Sequence, residues 1–280
     1  MKNYFIRKVD KPKIIGDIVV GKIDGDTFNI YKDLNREKNI KKVINKIIKS
    51  NIQNVVLSKE LCENKNLINA LNSYNIKIFD GRWLIKYLSV QILDYIIEQK
   101  NIKKEETEIA VTTNEITDLS IEIIKILSKQ YKKLTVVTNH IEKLRKIEKN
   151  IFEKEGILIV ISNNKKKSLL NSSIILNMDF NKDVLNKYRI NDNATIINLE
   201  GNMKIDNKRF NGIIVNDYEI EVEREEIIWR ENMQEYKNKD ILESILFMKD
   251  TYKNICTKIK KNKVRIKELY GINGKIERFS

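Results

Sequence analysis

Between residues 108 and 215, short uninterrupted apolar runs alternate with stretches whose apolar residues recur at helical spacing, and few architectures accept that pattern. The runs are Glu108-Ile109-Ala110-Val111, Leu134-Thr135-Val136-Val137, Ile157-Leu158-Ile159-Val160-Ile161, Ile174-Ile175-Leu176, Ala194-Thr195-Ile196-Ile197-Asn198-Leu199 and Phe210 to Val215. Ile116, Leu119, Ile123 and Leu127 form one helix face, Ile141, Leu144, Ile147 and Ile151 a second, and Val184 to Tyr188 a short third. Strands apolar on consecutive residues are buried on both faces, as in a parallel sheet covered by helices. Right-handed crossovers then wind the sheet in both directions. The expectation is an α/β fold: a Rossmann-like doubly wound parallel sheet.

A smaller α/β domain is expected before it, over residues 1–99. Ile18-Val19-Val20 and Thr27-Phe28-Asn29-Ile30-Tyr31 flank Asp24-Gly25-Asp26, a hairpin turn signal. Pro12, the only proline, precedes this unit. Ile40, Val43, Ile44, Ile47 and Ile48 have helical spacing, and Asn54-Val55-Val56-Leu57 reads as a strand. Leu67, Ile68 and Leu71 mark a helix, Ile76 to Phe79 a strand, and residues 82–99 a long amphipathic helix. The charged stretch Gln99 to Thr107 is the expected boundary before a second domain at 108–222. Residues 223–280 read as a helical basic tail, with Ile245, Met248, Tyr252, Ile255 and Ile259 at heptad-like spacing.

Composition narrows the function classes. The chain has 280 residues and a net charge of +14. It contains no run of 18 apolar residues, as a membrane helix requires, and its N-terminus lacks the apolar core of a signal peptide. A cytoplasmic location is expected. The two cysteines, Cys62 and Cys256, lie far apart, and His140 is the only histidine. These counts argue against a disulfide framework or a histidine-rich metal site. Residues 249–280 hold ten Lys/Arg against three Asp/Glu, half of the net charge. That segment is a candidate contact for nucleic acid or an anionic surface. The abundance of Lys, Asn and Ile, with little Gly or Pro, is also what an A/T-rich coding sequence produces.

In a doubly wound sheet, ligands bind beyond the carboxyl ends of the strands. Three loops fall there. Thr112-Thr113-Asn114-Glu115 occupies the place of a dinucleotide-binding Gly-x-Gly-x-x-Gly loop but contains no glycine. Its alternatives are an anion site at a helix N-terminus and a plain helix cap by Thr113 or Asn114. Thr138-Asn139-His140 lies where an adenosine ribose would sit, with Asn139 either a ligand contact or the start of a capping box with Glu142. Asn163-Asn164-Lys165-Lys166-Lys167-Ser168 is either a phosphate-holding turn or a solvated basic one. In the first domain, Lys59 and Asp80 each follow a short strand and form a candidate acid–base pair.

Three segments resemble the cofactor domain of two-domain dehydrogenases of the shikimate dehydrogenase and methylenetetrahydrofolate dehydrogenase type. Val136-Val137-Thr138-Asn139-His140 is similar to a strand followed by Asn-Arg-Thr, whose Arg grips the extra phosphate of NADP; here His140 replaces it. Ser173-Ile174-Ile175-Leu176-Asn177-Met178-Asp179 resembles the "aDivIna" strand, with Asn177 on its Asn. Asn193 to Gly201 is similar to the "gavviDvG" strand. The resemblance covers somewhat over a third of the chain. It implies NAD or NADP held by Thr112, Thr113, Asn114, Asn139, Asn177 and Gly201, in an active or inactive oxidoreductase. The alternative is a non-catalytic regulatory or binding protein that uses its basic C-terminal helix. A small-molecule or nucleotide ligand and a homodimer complete the expected partners.

Overall fold

The computed structural model describes residues 4–8, 20–23, 25–30, 34, 36–223, 234–247 and 251–279. In chain order the elements are β1 (Tyr4–Lys8), β2 (Val20–Ile23), β3 (Gly25–Ile30), α1 (Glu37–Lys49), β4 (Asn54–Leu57), α2 (Lys65–Ser73), β5 (Lys77–Phe79), α3 (Leu84–Lys100) and β6 (Glu108–Thr112). There follow α4 (Asp118–Gln130), β7 (Lys133–Val137), α5 (Ile141–Glu155), β8 (Val160–Ser162), α6 (Lys165–Asn171), β9 (Ile174–Asn177), α7 (Lys182–Asn186) and β10 (Thr195–Asn198). The last are β11 (Ile213–Val215), β12 (Asp217–Glu221), α8 (Asn238–Leu246), α9 (Tyr252–Lys261), β13 (Arg265–Gly271) and β14 (Gly274–Lys275).

The chain forms two compact units. One comprises Met1–Leu84, Val222–Lys249 and Lys261–Lys263, the other Ile85–Glu221, Asp250–Lys260 and Val264–Ser280. The division therefore falls at Leu84/Ile85, ahead of the charged stretch at 99–107. The reason is that most of α3 belongs with the second unit. Its Leu88, Ile92, Leu93 and Ile96 are fully buried.

The first unit is built on a five-stranded sheet of order β2-β3-β1-β4-β5, in which only the β2–β3 pair is antiparallel. Asp24 of the hairpin signal, Ile18, Val19, Tyr31 and Pro12 lie outside the described residues. Alternation along β4 sends Val55 and Leu57 toward α1 and α2, where they meet Ile40, Ile44, Ile47, Leu67 and Leu71. Val56 points the other way, to Phe79, Tyr236, Ile241 and Phe247. Three helices of this glycine-poor chain are followed by an asparagine in the left-handed region, Asn51, Asn75 and Asn101 (φ 52°, 56° and 51°). Asparagine tolerates that conformation because its short amide bonds locally, and here it takes the usual place of glycine.

The second unit carries a six-stranded parallel sheet of order β11-β10-β9-β6-β7-β8. Counted from β6, that is the 3-2-1-4-5-6 order of the Rossmann fold, with its switch point between β6 and β9. The doubly wound sheet expected from the sequence is therefore present. Ala110, Val137, Ile175 and Ile196 of this sheet pack with Leu169 of α6 and Leu185 of α7.

Several local expectations are corrected. Residues 165–171, read as a turn, form α6, capped by Asn164, whose side chain accepts from Lys167 N at 3.0 Å. Strand β8 begins at Val160 rather than Ile157 and is only three residues long. The tail is not one helix. It breaks into α8 and α9, after which β13 runs antiparallel to β12 and β14 antiparallel to β13. Met248 of the heptad-like pattern lies outside the described residues.

The start of β11 is tightly set. A Cβ on Gly212 would lie 2.1 Å from the Ala194 carbonyl oxygen and 2.7 Å from the Phe210 ring. Ile213 N donates to that same carbonyl at 3.0 Å, so neither side can yield without losing the β10–β11 ladder. Gly212→Ala is expected to destabilise the chain by about 2 kcal/mol, the cost of overpacking at a rigid contact. A urea midpoint equal to that of the parent would refute this.

Candidate functional site

The switch point of the six-stranded sheet is closed by the chain's own side chains. After β6 the backbone turns through Thr112, Thr113 and Asn114, with Thr112 and Thr113 fully buried. The carboxylate of Asp179, two residues beyond the end of β9, sits in this turn. It accepts from Asn114 N at 2.8 Å, from Glu115 N at 2.5 Å and from the Thr113 hydroxyl at 2.9 Å. Converging backbone N–H groups at this position are what a phosphate would use in a glycine-rich loop. Here the resident anion is Asp179.

Neither Thr113 nor Asn114 caps α4. That role falls to Thr117, which accepts from Ser120 N at 3.1 Å while its own N–H donates to Ser120 Oγ at 2.8 Å. The side-chain oxygen of Asn114 instead accepts from Asn139 N at 2.9 Å, tying the loop after β6 to the loop after β7. Asn139 makes no capping box either. The residue preceding α5 is His140, which makes no side-chain cap. The amide oxygen of Asn139 accepts from the ammonium of Lys165, a largely buried lysine held near the rings of Phe180 and Tyr188, 5.9 Å from each centroid.

Along the same edge runs a ladder of amides. Thr112, Asn177 and Asn198 are in register at the ends of β6, β9 and β10. Asn216 follows the end of β11. The Thr112 hydroxyl donates to Asn177 Oδ1 at 2.7 Å. Asn177 Nδ2 donates to Asn198 Oδ1 at 2.9 Å, and Asn198 Nδ2 to Asn216 Oδ1 at 3.0 Å. The remaining amide positions are filled by backbone. Asn177 Nδ2 also donates to the Phe180 carbonyl, Asn198 Nδ2 to those of Glu200 and Gly201, and Asn216 Nδ2 to that of Met203. Gly201, with φ at 54°, thus serves as a stapled turn.

Of the residues expected to hold a cofactor, the structure brings Thr112 and Asn177 together in the ladder, Gly201 at its margin, and Thr113, Asn114 and Asn139 around the Asp179 and Lys165 contacts. Sequence reasoning did not single out Asp179 for this place, or Asn198 and Asn216. The recurrence of an asparagine at the end of three consecutive strands was the available signal.

In the first unit, Lys59 and Asp80 are both exposed and are engaged separately. Lys59 Nζ donates to the Gln234 carbonyl at 3.0 Å, and Asp80 Oδ1 accepts from Arg82 N at 3.0 Å. The unusual acids of this unit are on α8. Asp240 and Glu243 are almost fully buried, and neither Asp240 Oδ1 nor either Glu243 oxygen gains a hydrogen bond of full geometry. Burial pushes Asp240 up to about 8, against Lys239 and Lys237, which favour its charged form. Burial likewise pushes Glu243 up to about 7, reinforced by Asp80 and opposed by Lys77 and the backbone of Trp83 and Gly81. The same burial raises the Cys62 thiol to about 11, so it is a poor nucleophile at neutral pH.

Among the described residues no group of three or more His, Cys, Asp or Glu is placed to hold a metal ion, and no helix is long and apolar enough to cross a membrane.

The strand order and the closed edge define an α/β protein with a Rossmann-type sheet whose carboxyl edge is bonded internally. No protein-family model matches the chain, and no curated protein matches it. Among solved structures, D-mandelate dehydrogenase of Rhodotorula graminis is similar at 8% identity over 91% of this chain and 94% of that one, with a TM-score of 0.41. L-tryptophan dehydrogenase of Nostoc punctiforme is similar at 10% identity over 74% and 65%, TM-score 0.31, and ornithine carbamoyltransferase of Pyrococcus furiosus at 11% over 76% and 78%, TM-score 0.31.

Proposed function

We propose that this chain is a diverged, non-redox member of the two-domain dehydrogenase plan, a binding scaffold that no longer holds a dinucleotide at its first loop. The observation that carries this reading is the Asp179 carboxylate on Asn114 N, Glu115 N and the Thr113 hydroxyl. A pyrophosphate needs the same donors and would have to enter against a fixed negative charge. The Thr112 and Thr113 side chains fill the space that glycine leaves open in a dinucleotide loop. The ribose position is engaged as well, since Asn139 is held by Lys165.

The test is thermal unfolding of the wild-type chain and of Asp179→Ala, each with NAD, NADP, their reduced forms, or phosphate at matched ionic strength. Wild type is expected to show no shift with any of them. Asp179→Ala should lose about 2 kcal/mol of stability, because charge-assisted bonds to a half-exposed carboxylate disappear. It should then be stabilised by phosphate, which refills the vacated donors. A salt-insensitive rise with NAD or NADP in wild type would show that the loop still takes a dinucleotide. A second reading, contact with nucleic acid or an anionic surface through 249–280, is supported by α9, where Lys253, Lys258, Lys260 and Lys261 are all exposed.

A further inference from the structure

A groove of about 430 Å³ lies on the second unit, over the amino ends of β6 and β7 and along β8. Its origin follows from the length of α6. A parallel sheet is normally covered on both faces. Alternation places Glu108 and Ala110 of β6, Lys133, Thr135 and Val137 of β7, and Val160 and Ser162 of β8 on one face. Seven residues give α6 only about 10 Å of length. Its Leu169 covers Ala110 and Val137, the carboxyl half of that face. The amino half stays open, and there Glu108, Lys133, Thr135 and Val160 meet Lys167, Ser168, Asn171 and Ser172 of the α6 side.

The lining states what would fit. Lys133 and Glu108 lie 3.7 Å apart and largely offset one another. Lys132 and Lys167 also line the groove, and among the described residues neither has an acidic partner. Lys132 and Lys167 give the groove an excess of positive charge, which favours an anion. Between them the lining is hydroxyl and amide, from Thr135, Ser162, Ser168 and Asn171. Among the described residues no aromatic side chain lines the groove, so they offer a nucleobase no stacking surface there. The volume is in the range of small-molecule sites.

We propose that this groove binds a small polyhydroxylated dianion of the sugar-phosphate class, with Lys132 and Lys167 on the phosphate and the hydroxyl and amide groups of Thr135, Ser168 and Asn171 on the sugar. The groove shares no lining residue with the Asp179 loop, so the two can be tested separately.

The experiment is isothermal titration of the full chain with glucose 6-phosphate, ribose 5-phosphate and glycerol 3-phosphate, with glucose, AMP and sodium chloride at equal ionic strength as comparisons. At least one sugar phosphate should bind saturably. Its affinity should fall about tenfold or more in Lys132→Ala/Lys167→Ala, and the same site should persist in Asp179→Ala beside the phosphate site that this substitution opens. Lys167→Glu, a substitution at an exposed position, serves as a second variant should the double one fold poorly. The proposal is overturned if none of the three phosphates binds beyond the salt control. It is equally overturned if binding survives both lysine variants, or if AMP matches the best sugar phosphate. Binding seen only in Asp179→Ala would place the anion in the loop after β6 and overturn the proposal.

Discussion

Asn177→Leu is expected to cost on the order of 4 kcal/mol, the largest loss of any single substitution considered for this chain. The leucine has nearly the same volume but ends the ladder at its centre. The Thr112 hydroxyl loses its acceptor, Asn198 Oδ1 loses its donor from Asn177, and both the N–H and the carbonyl of Phe180 lose their side-chain partner. Each is buried, and a buried polar group left without a bond costs about 1–3 kcal/mol. Thr112→Val removes one bond and leaves Asn177 Oδ1 its second donor, Phe180 N, so it should cost about 1 kcal/mol. Chemical denaturation of both variants and of the double variant measures the coupling between them. A loss at Asn177 no greater than at Thr112 would mean that the amides are not acting as a connected network.

Unfolding should also become easier as pH rises from 5 to 8. The sign follows from the two acids of α8. Their folded-state values, about 8 for Asp240 and about 7 for Glu243, lie above the ordinary 3.8 and 4.5. Well below 3.8, both groups are protonated in the folded and the unfolded chain, and burial carries little penalty. Through the interval between the ordinary and the raised values, the unfolded chain ionises and the folded one resists, so stability falls. Each unit of difference is worth about 1.4 kcal/mol, and the pair therefore shifts stability by several kcal/mol. Glu155 and Glu268, whose values lysine partners lower, act in the opposite sense but below the ordinary glutamate value, outside this window. The urea midpoint should be higher at pH 5 than at pH 8, and Asp240→Asn/Glu243→Gln should flatten the profile and raise the midpoint at pH 8. A midpoint that rises from pH 5 to pH 8 in wild type would contradict the burial of these carboxyls.

What could be read from the sequence was what depends on uninterrupted burial. Strands β6, β7, β9 and β10 are runs of Ile, Val, Leu and Ala with both faces covered, and they announce themselves. Helix α6 does not, because Lys165-Lys166-Lys167 precedes its only apolar pair, Leu169-Leu170, and seven residues are too few for a period to show. The apolar run Ile157–Ile161 overstates β8, since pairing with β7 starts only at Val160. In the tail, Ile245, Tyr252, Ile255 and Ile259 keep a helical spacing across a break between α8 and α9. The strand Arg265–Gly271 alternates apolar residues with lysine and glutamate weakly enough to pass as tail. The site was legible as a location and not as a state. The loop after β6 could be placed from the strand pattern, but its filling by a carboxylate 65 residues downstream is a tertiary event. Asp240 and Glu243 sit in Lys-Asp-Ile-Leu-Glu-Ser, which reads as a surface helix, and only the fold buries them.

The order in which the chain joins its two units bears on how it is made. During synthesis, residues emerge from the N-terminus onward, and domains built from one continuous segment fold as they appear. Neither unit here is continuous. The sheet of β1 to β5 lacks Tyr236, Ile241 and Phe247 against Val56 and Phe79 until α8 has emerged. The second unit still lacks Val264–Ser280, which brings β13 to β12. A ribosome stalled between β12 and α8 therefore displays two unfinished cores at once.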